Sequence, residues 1–125
     1  MVSMEDATAQ VLALDGVIAV AGVDYTNGMT IQSTIVRPFD MELAAAVATE
    51  VVRAQMRAVE QLGGGQVVDD ILITQSQELH LITLNDDPRY AGLFSYLVLD
   101  RERGNLALAR RRLQELTAAG IDVER

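Results

Sequence analysis

The sequence predicts an α+β fold: a single five-stranded, mostly antiparallel sheet flanked by helices, in the order α-β-β-α-β-β-β-α. Three observations predict it. The 125 residues suit one domain of ordinary size, spanning 1–125. Half of them are apolar and 22% are charged, enough to bury a core without disulfides or metal. Stretches with apolar residues at helical spacing are interleaved with β-branched runs bounded by Gly, Asn and Pro.

Ser3 is suited to cap a first helix, and Glu5 and Asp6 in its first turn complement the positive end of the helix dipole. Met4, Ala7, Val11 and Leu14 then repeat at helical spacing until Gly16. The β-branched run Val17-Ile18-Ala19-Val20-Ala21-Gly22-Val23 reads as a strand buried on both faces. Asn27-Gly28 is a hairpin signal because both residues tolerate positive φ, and Met29 to Val36 forms the returning strand. Pro38 ends it, and Asp40 caps the longest helix, which runs to Leu62 before Gly63-Gly64-Gly65. Strands follow at Val67–Thr74, Leu79–Leu84 and Leu93–Leu99, with Asn85-Asp86-Asp87-Pro88 breaking the chain between the last two. Leu106, Ala109, Leu113 and Leu116 place one stripe on a closing helix over 105–119.

The helix after Asp40 carries more apolar surface than one contact needs. At about 100° per residue, Leu43, Val47, Val51, Ala54, Ala58 and Leu62 form one stripe, the match for a sheet-packed face. Ala45, Ala48, Val52, Met56 and Val59 form a second stripe beside it, and Thr49, Glu50, Arg53, Arg57 and Glu60 make a polar face with Ala46 among them. The two stripes together span roughly 220°, where one buried contact takes about 100°. Another helix of the same chain or a second subunit must cover the surplus, and Ala45 and Ala48 permit close helix approach. In Val67-Val68-Asp69-Asp70-Ile71-Leu72 adjacent charges fall on opposite faces of a strand. This is either a guarded sheet edge or a strand whose regular part starts at Ile71.

Composition excludes several kinds of chemistry. A net charge of -8 speaks against nucleic acid as partner, and the absence of cysteine removes thiol nucleophiles and Cys-type metal sites. All ten basic residues are arginine, as coding bias in a GC-rich bacterial source produces. The start Met1-Val2-Ser3-Met4-Glu5-Asp6 lacks the pattern of a secretion signal, and no apolar run reaches the ~20 residues of a membrane span, so direct membrane insertion is not expected and a cytoplasmic location is. His80 is the one histidine and reads as a surface or satisfied structural residue. Gly63-Gly64-Gly65 has no following Lys-Ser/Thr, so it is a helix cap and joint rather than a phosphate loop. Arg110-Arg111-Arg112 is the one basic cluster, read as a solvated helix face. Neither a catalytic residue, a metal site nor a cofactor site is expected.

Several phrases carry a resemblance. They are Leu14-Asp15-Gly16-Val17-Ile18-Ala19-Val20-Ala21-Gly22-Val23, the alanine-rich helix ending Gln61-Leu62-Gly63-Gly64-Gly65, and Tyr96-Leu97-Val98-Leu99-Asp100-Arg101 followed by Gly104-Asn105-Leu106-Ala107-Leu108-Ala109-Arg110-Arg111. With the order of elements they resemble the roadblock family, named for a dynein light chain and including bacterial MglB-type regulators. The resemblance implies a roadblock-like sheet and a homodimer, with middle helices packed together and sheets joined through the third strands. It also implies non-enzymatic regulation or scaffolding of a Ras-like small GTPase by docking on its switch regions. The candidate dimer surface is then Ala45, Ala48, Val52, Met56, Val59, Asp69 and Ile71, and the candidate docking surface is Glu50, Arg53, Arg57 and Glu60. The alternatives are a structural subunit of a larger assembly and a small-molecule sensor, neither affecting nucleotide turnover.

Overall fold

The computed structural model describes residues 1–123. Each helix begins where a polar side chain accepts an otherwise unsatisfied backbone N–H. Ser3 Oγ takes the Asp6 N–H at 3.0 Å to start α1 (Met4–Leu12). Asp40 takes the Leu43 N–H at 3.1 Å to start α2 (Met41–Leu62). Asn105 takes the Leu108 N–H at 3.0 Å to start α3 (Leu106–Ala119). The strands are β1 (Val2–Ser3), β2 (Val17–Asp24), β3 (Met29–Ile35), β4 (Asp70–Thr74), β5 (Glu78–Leu84), β6 (Leu93–Asp100) and β7 (Ile121–Asp122).

Five of the strands form the expected sheet, in the spatial order β3-β2-β6-β5-β4 and antiparallel at every junction. The two most apolar segments, β2 and β6, lie side by side at its centre, as strands covered on both faces must. On one face α2 packs with Met41, Ala45, Ala48 and Val52 over Ile18, Ala21, Val23, Phe94, Tyr96 and Val98. On the other, α1 and α3 bring Ala7, Val11, Ala109, Leu113 and Leu116 onto Val20, Leu81, Leu97 and Leu99. Gly16 turns the chain into β2 at φ +79°, and a Cβ there would lie 2.5 Å from the Gly104 nitrogen, so two glycines let the ends of β2 and β6 close together.

Three details differ from expectation. β1 and β7 pair in parallel, Val2 with Ile121 and Ser3 with Asp122, tying the chain's beginning to the end of α3. Two residues are too few to set up a readable period. The hairpin loop is longer than an Asn-Gly turn: Gly28 donates to the Asp24 carbonyl at 2.8 Å, and only Gly28 within the loop has positive φ. The strand expected from Val67 starts at Asp70, because ladder pairing begins where the Asp69 carbonyl accepts the Leu84 N–H at 2.9 Å.

Candidate functional site

The two stripes of α2 are the reverse of the expected assignment. Ala45, Ala48 and Val52, expected at a dimer surface, are 0%, 3% and 0% exposed beneath the helix. They cannot meet a partner. The stripe expected on the sheet stands outside instead, with Leu43 61%, Val47 51% and Leu62 84% exposed. Phe94 and Tyr96 rise from the sheet below and Phe39 packs in from the segment leading into α2. Rings of that size leave room for alanine and valine, not for a row of larger chains. A helical wheel gives the two stripes but not which one faces down. Thr49 also turns inward, 3% exposed, where its hydroxyl donates to the Ala45 carbonyl at 2.8 Å and its side chain lies against Gly28.

The remaining candidates lie at the surface. Met56 is 39% exposed, Val59 is half-buried and Asp69 is exposed. Ile71, with Ile73, packs half-buried on the α2 side of β4, whose outer edge is unpaired. The adjacent acids separate as the strand alternation requires: the Asp70 side chain turns to the α3 side and meets Arg110 Nε at 2.9 Å. Arg110 of the basic cluster therefore serves the fold. Asp69 lies just outside the ladder.

Leu43 to Leu62 runs for roughly 28 Å at 1.5 Å per residue, with Val51, Ala54 and Ala58 filling the line between. This is an apolar strip on the outer face of α2, and β4 is separately an edge strand of the sheet. Unpaired edges and uncovered apolar helix faces are the two features that drive a chain to associate. Glu50, Arg53, Arg57 and Glu60 are all exposed on one flank of the same helix. Arg53 Nη2 reaches the Thr26 carbonyl at 3.3 Å, so the β2–β3 loop steadies this flank.

His80 is buried, and both ring nitrogens are engaged. Burial first, and the Glu78 charge second, push the Tyr96 phenol up to about 12. It therefore keeps its proton at neutral pH and donates to Nδ1, while Nε2–H donates to Glu78 Oε1 at 2.9 Å. Phe39 stands edge-on over the imidazole, 5.8 Å between centroids. The histidine is a satisfied structural residue joining β5 to β6. Among the described residues no group of three or more His, Asp or Glu is placed to hold a metal ion, and no helix is long and apolar enough to cross a membrane.

No protein-family model and no curated protein sequence matches the chain. Solved structures do. A Roadblock/LC7 domain from Streptomyces avermitilis aligns with TM-score 0.74 over 90% of this chain and 88% of that one, at 14% identity. Myxococcus xanthus MglB aligns with TM-score 0.68 over 87% and 80%, at 17% identity. The gliding protein MglB of Thermus thermophilus aligns with TM-score 0.74 over 89% and 80%, at 11% identity. The shared feature at such identities is the fold, and the fold is that of the roadblock domains.

Proposed function

We propose that this chain is a non-enzymatic, homodimeric regulator of a Ras-like small GTPase, acting as one domain in the cytoplasm. The observation that carries the reading is the apolar strip from Leu43 to Leu62 on the outer face of α2. A two-fold contact places the same strip on both sides, so one surface supplies both halves of the interface. The interface then consists of Leu43, Val47, Ala54, Ala58 and Leu62, with Met56, Val59, Ile71 and Asp69 towards its margins. The resemblance to roadblock domains, and a fold shared with MglB, support both the dimer and the choice of a GTPase as partner.

Dimerisation through α2 sets two copies of Glu50, Arg53, Arg57 and Glu60 on neighbouring helices, a mixed-charge platform wider than one helix offers. Docking there shifts a GTPase between its switch conformations by as much as its affinity for the two differs. The chain itself then needs no nucleophile, metal or general base. Light scattering on the size-separated protein tests the first step: a dimer is expected, and a monomer at micromolar concentration contradicts it. A structural subunit would bind its partner equally with GDP or GTP present; the regulator distinguishes them.

A further inference from the structure

The face of the sheet away from α2 holds a cavity of about 100 Å³ between α1 and α3. Its walls are apolar, chiefly Val11, Val20, Leu113 and Leu116, and among the described residues no charged side chain lines it. Two hydroxyls on its floor differ from everything around them. Thr83 of β5 and Ser95 of β6 are cross-strand partners pointing to this face, and neither Thr83 Oγ1 nor Ser95 Oγ has a hydrogen-bond partner although both atoms are shielded from solvent. Most other polar groups of the lining are engaged within the protein; Asn85, which is exposed, accepts the Asp87 N–H at 2.8 Å. Gln32 Nε2 donates to Thr8 Oγ1 at 3.0 Å, and Thr8 in turn donates to the Met4 carbonyl at 2.8 Å. Thr117 donates to the Leu113 carbonyl at 2.9 Å, and Tyr90 donates to the Thr117 carbonyl at 3.0 Å.

We infer that this cavity is a binding site for a small neutral molecule with an apolar body and a single hydroxyl or carbonyl group, such as a short-chain alcohol or ketone. Size sets the body: a cavity of about 150 Å³ holds benzene, so this one takes roughly four or five heavy atoms. Charge is disfavoured because an ion here would lose its hydration with no counter-charge among the described lining residues. Polarity is required at one end, because a buried hydroxyl left without a partner is costly and two of them stand on paired residues of neighbouring strands. A ligand hydroxyl that donates to one and accepts from the other satisfies both. The site lies on the face opposite α2, so it is independent of the regulatory reading above.

The test uses the whole chain with methyl-labelled Val and Leu, titrated with n-butanol, with butyrate and with butylammonium as probes. Butanol is expected to shift the Val11, Val20, Leu113 and Leu116 methyls saturably, and the two ions to leave them unmoved. The double variant Thr83→Val/Ser95→Ala keeps the cavity's shape and is expected to weaken butanol binding about fivefold to tenfold, the weight of one or two hydrogen bonds. Ala7→Leu, which fills the cavity from α1, is expected to abolish binding; its dispersed methyl spectrum separates that loss from misfolding. Shifts that rise linearly with butanol, or that spread over the surface, would overturn the site. Equal binding of butyrate, or undiminished binding by the double variant, would overturn its assignment to a neutral ligand held by the two hydroxyls.

Discussion

Truncating Leu43 and Val47 to alanine together is the perturbation that bears hardest on the dimer. Alanine keeps the helix, and both side chains already face solvent in the isolated chain, so the monomer loses little. Burying a whole leucine or valine side chain contributes about 1.5–3 kcal/mol, and Leu43 at 61% and Val47 at 51% exposure leave a little over half of that for a partner. That is about 1 kcal/mol each, about 2 per protomer and about 4 in a symmetric dimer where every residue counts twice. The dimer dissociation constant should rise roughly a thousandfold. Sedimentation equilibrium over a concentration series measures it, and the melting temperature of the double variant should lose the concentration dependence that a dimer confers. A double variant that dimerises with the parent's affinity would remove the strip from the interface.

Four further expectations follow from particular contacts. Gly16→Ala should destabilise the fold by more than about 1 kcal/mol in denaturant titration, because alanine is strained at φ +79° and its Cβ meets the Gly104 backbone. Asp100 accepts the Arg103 N–H, the Arg37 guanidinium and the Glu102 N–H, in that order of effect, and its carboxyl is held below the usual 3.8. A lowered folded-state pKa means the stabilisation is present above 3.8 and lost as pH falls through the folded value, so Asp100→Asn should flatten that part of the acid-unfolding curve. Tyr96→Phe strands His80 Nδ1 and should cost about 1–3 kcal/mol in chemical unfolding. Converse behaviour belongs to Arg53→Ala/Arg57→Ala, where both side chains are exposed: stability should change by no more than about 0.5 kcal/mol while GTPase capture is lost, and unaffected capture would displace the docking surface.

What the sequence made legible was local chemistry. Ser3, Asp40 and Asn105 announce helix starts because a short polar side chain there accepts a backbone N–H that the helix leaves free. Gly63 marks the end of α2 because positive φ suits a chain leaving a helix. By contrast α1, expected to run to Gly16, already ends at Leu12 with Ala13 as its cap, and Gly16 serves the turn into β2. The run from Val17 to Val23 is too apolar for anywhere but the interior of a sheet. What stayed hidden depends on contacts across the fold. The rotational phase of α2 is decided by Phe94 and Tyr96 beneath it, more than thirty residues away in the chain, and a single-helix wheel contains no trace of them. Larger residues in one stripe and smaller in the other was the available signal, and it points the right way only once the aromatic floor is considered. The cavity with Thr83 and Ser95 was equally out of reach, since it needs the register of β5 against β6. The surplus apolar arc survives in the structure, on the opposite stripe.

For the regulatory proposal the decisive measurement is capture from the source organism's lysate on the immobilised full chain, with GDP or a non-hydrolysable GTP analogue added and Arg53→Ala/Arg57→Ala run alongside. One small GTPase, identified by mass spectrometry, should be retained by the parent chain in one nucleotide state and by the variant in neither. A small GTPase absent from both eluates would contradict the proposal.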